Sequence, residues 1–372
     1  MTTAEIVQLA TQYRRDLHQI PELDNQLPKT CAYVKAVLSE LPCTVTEPTP
    51  GSVCAFFDFH RPETTAYRAD MDALPVVEMV DKPWKSRHPG CMHACGHDGH
   101  TAMALTLARL VAEPGTTWRR NVLFVFQPAE ETTGGARQLV DSGIFEKCHV
   151  AQIFGFHLWP DLPFGKIGSR PGPLFAKSSE VNVDIDGRST HIARAKEGAD
   201  ALEAGVRFIA QAYRMIDEEV PAEEPKLLKF GMMHSGTVRN ALSAHTEIRG
   251  SLRSFSPDVF EFMKRRLFEI AGRVSEATGA QIHLHLNEGY PPVLNDARLF
   301  ERVQAALGDR LTLLDAPSMT AEDFSFYQQA VPGVFLCLGT GGERPLHSDR
   351  FDFDERVLAV GVAAAASLLN ID

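Results

Sequence analysis

Long hydrophobic runs are missing from this 372-residue chain. The longest, VLAVGVAAAASLL near the C-terminus, falls short of the roughly 18 to 20 apolar residues that cross a bilayer, so no membrane span is expected. Positive charge is scarce as well. Lys and Arg number 37 against 48 Asp and Glu, a formal charge of -11, which argues against nucleic acid or an anionic membrane as partner. The seven cysteines (Cys31, Cys43, Cys54, Cys91, Cys95, Cys148, Cys337) are odd in number and scattered, which excludes the disulfide framework of a small secreted domain. The opening stretch, MTTAEIVQLATQYRRDLHQ, reads as an amphipathic helix and not as the apolar core of a signal peptide. A cytoplasmic location with reduced thiols is expected, and a small-molecule substrate is the expected partner. Repeats and low-complexity tracts are absent too.

What is present is a chain that is 44% hydrophobic and long enough for two cores. Short apolar, β-branched or aromatic runs stand at 52–59 (SVCAFFDF), 121–127 (NVLFVFQ), 150–157 (VAQIFGFH) and 333–339 (GVFLCLG). They show little period-2 alternation, which suits strands covered on both faces. Helical patterns fall between them at 4–18, 29–40 and 100–112, so the expectation is an α/β sandwich.

From about residue 178 the pattern changes. SSEVNVDID places Val181, Val183 and Ile185 on one face and polar residues on the other, as in a strand buried on one side. A helix is expected from Ala199 to Glu218, then strands near 227–234 and 245–253. Ser256 is placed to cap a helix with Pro257 at its first position, ending near Gly279, before the alternating strand QIHLHL. Strand, helix, strand, strand, helix, strand is the ferredoxin-like order. The expected organisation is a catalytic domain of residues 1–177 and 289–372, with an inserted domain at 178–288.

Residues 91–100, CMHACGHDGH, pack three histidines, two cysteines and an aspartate beside a glycine-containing turn. So many potential ligands close together point to metal binding. In open α/β sheets, reactive groups gather beyond the carboxyl ends of strands. There YRADMDALP offers Asp70 and Asp72, VFQPAEE offers Glu130 and Glu131, FGFH offers His157 and GTGGERPLHS offers His347. With Cys95 and His97 they make a set of thiolate, imidazole and carboxylate donors that suits a borderline transition metal better than Ca or Mg. Ligands from several loops suggest two ions. Asp98 reads as a helix N-cap rather than a ligand, and His93, His100, Cys91 and Cys43 have no assigned role.

Paired glutamates have a chemical use at such a centre. Metal ions acidify water and polarise a carbonyl, while an uncoordinated carboxylate takes the proton and hands it to the leaving amine. One Glu can ligate while its neighbour acts as base; the pair alone leaves open which is which.

Taken together, RADMDALP, MHACGHDGH, QPAEE, GFH, MTAEDFSF and LHS resemble the dinuclear metal-dependent aminoacylase family. It includes hippurate hydrolase, auxin-conjugate hydrolases and N-acetyldiaminopimelate deacetylases, in the wider clan of carboxypeptidase G. The likeness runs along essentially the whole chain, and GPLFAKSSEVNVDIDG with MTAEDF is most similar to the N-acetyldiaminopimelate deacetylase branch. The resemblance implies a zinc-exopeptidase-like α/β sandwich whose inserted ferredoxin-like domain serves as lid and dimerisation surface. It implies two divalent ions per subunit (Mn, Co, Ni or Zn) on Cys95, His97, Glu131, His157 and His347, with Cys95 bridging. Glu130 becomes the general base and Asp72 a group that orients a ligand. His191 resembles the family's carbonyl-polarising histidine, Asn240 and Arg253 its contacts to the substrate carboxylate. In that family the lid domains pair into a homodimer, and the histidine matching His191 enters the partner's site. Two stretches depart from the family pattern, THIARAKEG after His191 and NALS at Asn240, both where substrate is held.

The activity so implied is hydrolysis of N-acyl amino acids, N-acetylated ones foremost, to carboxylate and free amino acid, with N-acetyl-L,L-diaminopimelate as candidate substrate. Another aminoacylase activity such as hippurate hydrolysis, or a dipeptidase on the same scaffold, is the alternative. A binding protein without catalysis should lack the base, yet Glu130 is present.

Overall fold

The computed structural model describes residues 1–371. The chain divides into two compact units. The first comprises Met1–Leu174, Val293–Pro317 and the segment from Asp323 onward; the second comprises Phe175–Pro292 and Ser318–Glu322. The short segment Ser318–Glu322, read from the sequence as flanking, joins the second unit because the Ala176 N–H donates to the Thr320 carbonyl at 2.9 Å, beside a bridge between Phe175 and Ser318.

The first unit is built on an eight-stranded sheet. Its spatial order is Thr44–Thr46, Val53–Phe57, Asn121–Gln127, Thr64–Asp70, Val150–Trp159, Gly333–Gly339, Ile167–Ser169 and Leu311–Leu313. The central strands Asn121–Gln127, Thr64–Asp70, Val150–Trp159 and Gly333–Gly339 are mutually parallel, so their carboxyl ends share one edge of the sheet. The neighbours Val53–Phe57 and Ile167–Ser169 run antiparallel to them. Every residue of Thr64–Asp70, Asn121–Gln127 and Gly333–Gly339 is buried, which explains the lack of alternation in sequence. Tyr67, Phe124, Phe126, Phe154, Phe156 and Leu336 share one core with the helices Thr3–His18, Pro28–Leu38, His97–Val111, Ala297–Leu307 and Val357–Leu369. Leu123, Val125, Phe335 and Cys337 are buried outside that core, and the shorter helices Gly135–Asp141, Ile144–Lys147 and Ser325–Ala330 pack on strands of the sheet. The three-residue strands escaped the sequence reading because so short a segment carries no period. No described helix is long and apolar enough to cross a membrane.

The second unit has the ferredoxin-like element order. Its four strands are antiparallel in the spatial order Gln281–Leu286, Lys177–Asp186, His245–Ser254 and Lys226–Ser235. Val181, Val183 and Ile185 are fully buried against Phe208, Met215, Phe260 and Leu267 of the helices Ala201–Glu219 and Pro257–Thr278. The first helix starts at Ala201, later than the expected Ala199, because Asp200 caps it by accepting the Leu202 N–H at 2.9 Å. Ser256 caps the second by accepting the Val259 N–H, and Gly279 ends it in the left-handed region at φ 71°.

Candidate metal centre and active site

The parallel centre of the sheet delivers several candidate residues to one edge. Asp70 ends the strand Thr64–Asp70 and Asp72 follows it; Glu130 and Glu131 follow Asn121–Gln127; His347 lies in the loop after Gly333–Gly339. His157 sits inside the strand Val150–Trp159 and not after it, because the strand runs on to Trp159. Opposite them, Gly96 at φ 86° turns the chain into the helix His97–Val111, a backbone angle that suits glycine and places Cys95 and His97 on either side of the turn.

The donor atoms converge. Ligand atoms of Cys95, His97 and His157 all lie within 4.8 Å of one another, and so do those of Cys95, Glu131 and His347, two groups that share the cysteine. His97, Glu130 and Glu131 form a third such group. Backbone contacts set which nitrogen faces the cluster. His97 Nδ1 lies 2.8 Å from the Asp72 carbonyl and His157 Nδ1 2.8 Å from the Leu158 carbonyl, so in each ring Nδ1–H donates to the backbone and Nε2 is the nitrogen left facing the cluster. His157 Nε2 then stands 3.4 Å from Cys95 Sγ. The Asp72 carboxylate accepts the Glu130 N–H at 3.1 Å on one oxygen and the Glu131 N–H at 3.0 Å on the other, holding the paired glutamates in place. Two residues here have left-handed backbones despite their side chains, Ala129 at φ 58° and His347 at φ 66°. Such strain persists only where surrounding contacts enforce it.

The electrostatics call for a cation. Burial opposes charge on His97, yet Asp70, Asp72 and Glu131 raise it to about 10. Burial likewise opposes charge on Glu131, but His347 and His97 hold its carboxyl down at about 2. Burial pushes the Cys95 thiol well above its ordinary value, and Glu131 and Glu130 add to this. Burial lowers His157 to about 3, keeping it neutral with its lone pair available. His97 Nε2 and Glu131 Oε1 are buried and make no hydrogen bond, although they lie 3.8 Å apart and His347 Nε2 is 3.2 Å from the same oxygen. Unbonded ligand atoms facing one another across such gaps fit a metal site, where a cation would take the place of the His97 proton, and a donor set of thiolate, imidazole and carboxylate fits a transition metal.

The chain matches the family described as Peptidase family M20/M25/M40 over residues 66–371. It is 35% identical to the N-acetyldiaminopimelate deacetylase of Lacticaseibacillus paracasei, covering 100% of this chain and 98% of that protein. A probable hydrolase of Synechocystis is also 35% identical, over 94% of this chain and 92% of that protein. Among solved structures, a dinuclear metal binding peptidase of the M20 family from Bacillus subtilis superposes with a TM-score of 0.85 at 29% identity, covering 98% of each chain. A putative aminohydrolase from methicillin-resistant Staphylococcus aureus gives 0.90 at 26% identity, covering 98% of this chain and 96% of that one. This chain belongs to the M20/M25/M40 peptidase family. It is a hydrolase of amide bonds.

Several residues take parts that the sequence did not disclose. Asp98 does not cap the helix, because the helix already begins at His97. Its buried carboxylate instead accepts from Arg14 Nε at 2.9 Å and pairs with His18 Nδ1 at 2.7 Å, tying the helix Thr3–His18 to the turn that bears Cys95 and His97. His100 shares a donor group with Asp70 and His97, yet both of its nitrogens are used: Nδ1 lies 2.6 Å from Asp70, and Nε2 accepts the Leu158 N–H at 2.9 Å. Arg68, within RADMDALP, is fully buried, and a buried arginine must have partners. It donates to Asp70 at 2.7 Å and to Asp323 at 2.9 Å. No sequence signal pairs Arg14 with Asp98, since 84 residues separate them.

His191, Asn240 and Arg253 all belong to the second unit. His191 is exposed and forms an isolated backbone bridge with Ala241, while the Asn240 carbonyl accepts the Ile192 N–H at 3.0 Å, so the two loops are laced together. Arg253, half-buried on the strand His245–Ser254, donates to Ser251 Oγ at 3.2 Å and to the Met319 carbonyl.

Proposed function

We propose that this chain hydrolyses N-acyl amino acids, with N-acetyl-L,L-diaminopimelate as favoured substrate. The observation that carries the reading is the pair of donor groups sharing Cys95, with Glu130 held beside Glu131 by the same Asp72 carboxylate. Cys95, His97, Glu131, His157 and His347 would hold two divalent ions. Ions bound there supply Lewis-acid polarisation of the scissile carbonyl and of water. Glu130 takes the proton from the attacking water and returns it to the departing amine. Asp72 keeps His97 in the tautomer that offers Nε2 and keeps both glutamates at the centre. His191 polarises the carbonyl, and Arg253 with Asn240 binds the free α-carboxylate next to the amide. The full-length likeness to N-acetyldiaminopimelate deacetylases supports the choice of substrate. The second unit serves as the surface of a homodimer.

The test is a hydrolysis screen of N-acetyl amino acids, their methyl esters and amides, and dipeptides, by protein loaded in turn with Mn, Co, Ni and Zn. Free acids should be cleaved and the esters and amides much more slowly. Equal rates on acid and amide forms contradict the carboxylate clamp. Preference for dipeptides replaces deacylation with an exopeptidase reading, and no turnover with any of the metals overturns the proposal.

A further inference from the structure

The stretch MTAEDFSF carries no role in the reading above, yet its Asp323 is fully buried and gathers donors from three separate segments. Oδ1 accepts from Arg68 Nη2 at 2.9 Å. Gln127 Nε2 lies 2.9 Å from Oδ1 and 2.7 Å from Oδ2, and the Ala136 backbone N–H donates to Oδ2 at 3.0 Å. Gln127 is the last residue of the strand that leads into the glutamate loop, and Ala136 lies where that loop enters the helix Gly135–Asp141. A single carboxylate thus ties both ends of the loop, while Asp72 holds its middle through the Glu130 and Glu131 N–H groups. Arg68 extends the clamp, with Nε donating to Gln127 Oε1 at 2.8 Å and Nη1 to Asp70 at 2.7 Å. The Tyr327 hydroxyl donates to that same Gln127 oxygen at 3.0 Å.

We propose that Asp323 is a positioning residue for Glu130 and Glu131, setting the loop conformation in which both carboxylates face the metal donors. The inference rests on the reading of Glu130 as base and Glu131 as ligand. The hydrogen-bond inventory explains why a carboxylate is required there. The Glu130 carboxylate lies within 4.8 Å of Asp323, but Arg68, Gln127 and the Ala136 N–H all donate to Asp323, so an asparagine would turn its amide nitrogen toward either Arg68 or the Ala136 N–H. Rotating the Gln127 amide to compensate would set its nitrogen against Arg68 Nε. In a buried site that mismatch has no solution that satisfies all partners. Ala129, held at φ 58° within the loop, relaxes once an end is released.

The experiment compares wild type, Asp323→Asn and Tyr327→Phe in three measurements: amide hydrogen exchange over residues 129–136 of the metal-free protein, Mn affinity by calorimetry, and kcat and KM. For Asp323→Asn, loop exchange should quicken by about tenfold or more while the strands Thr64–Asp70 and Val150–Trp159 keep their protection. The Mn dissociation constant should rise by about tenfold, and kcat should fall with KM nearly unchanged. Tyr327→Phe keeps both charges and should move exchange and affinity the same way by about threefold. A folded Asp323→Asn with wild-type loop exchange and Mn affinity overturns the proposal, as does exchange that quickens evenly across the sheet. If Asp323→Asn does not fold, Tyr327→Phe decides, loop-confined change supporting the proposal and wild-type behaviour refuting it. Exchange and Mn binding need no substrate, so a wild-type protein inert on every amide defeats the functional reading alone.

Discussion

Glu130 and Glu131 carry the same side chain, and their backbone N–H groups bind the two oxygens of one aspartate, so any division of labour between them comes from their surroundings. Glu131 shares a donor group with Cys95 and His347 and has a buried oxygen without a hydrogen bond. Glu130 joins one group with His97 and Glu131 and another that includes Asp323, and neither contains the shared cysteine. Elemental analysis should therefore find that Cys95→Ala and Glu131→Gln each lose at least one of two ions per chain. Glu130→Gln should keep both while kcat drops by about two to four orders of magnitude, since shape and hydrogen bonding survive but the basic carboxylate does not. Retained metal in Glu131→Gln together with lost metal in Glu130→Gln would exchange the two roles.

The loop between the strand Asn121–Gln127 and the helix Gly135–Asp141 is the element on which the site depends most. Its ends approach so closely that a Cβ on Gly135 would stand 2.1 Å from the Pro128 carbonyl oxygen, a backbone atom that cannot swing aside as a side chain can. Gly135→Ala must open the base of the loop, at a cost of about 2 to 4 kcal/mol if the rest of the fold stays put. Thermal melting should show that loss, and metal affinity should fall with it because Glu131 is carried on the displaced segment. A Gly135→Ala protein with wild-type melting and metal affinity would show that the loop yields more easily than its hydrogen bonds suggest. The turn before the helix His97–Val111 is secured differently, through Asp98, Arg14 and His18. Removing one partner of so buried an ion pair typically costs about 3 to 5 kcal/mol.

At the scale of the whole molecule, the metal donors lie in the first unit while His191, Asn240 and Arg253 lie in the second. A homodimer in which His191 serves the partner's centre makes a specific demand on mixed assemblies. Inactive His191→Ala subunits and inactive Glu130→Gln subunits, allowed to exchange, would form heterodimers holding one site with both residues intact. Activity should recover toward roughly a quarter of wild type if mixing is random and the sites independent, since half the dimers are then mixed and each has one working site. No recovery despite demonstrated exchange of subunits would assign His191 to its own chain or remove it from catalysis.

The sequence by itself determined what local pattern can encode. Alternation in SSEVNVDID and QIHLHL, the cap at Ser256 and the helix end at Gly279 depend on neighbours a few residues apart, and they announce the second unit's order before any contact is known, whereas the cap at Asp200 was placed by the structure. The cluster CMHACGHDGH and the carboxylates at strand ends announce metal chemistry as a conjunction, because so many ligand types meet in short local stretches. Only the tertiary structure decided which ring nitrogens face the cluster, because His97 and His157 turn Nδ1 to the carbonyls at Asp72 and Leu158. It also decided that His100 and Asp98 are braces, and that Arg68 and Asp323 meet across 255 residues. Buried charge is paired by proximity in space, and a pairing between distant segments leaves no period, cap or spacing in the chain.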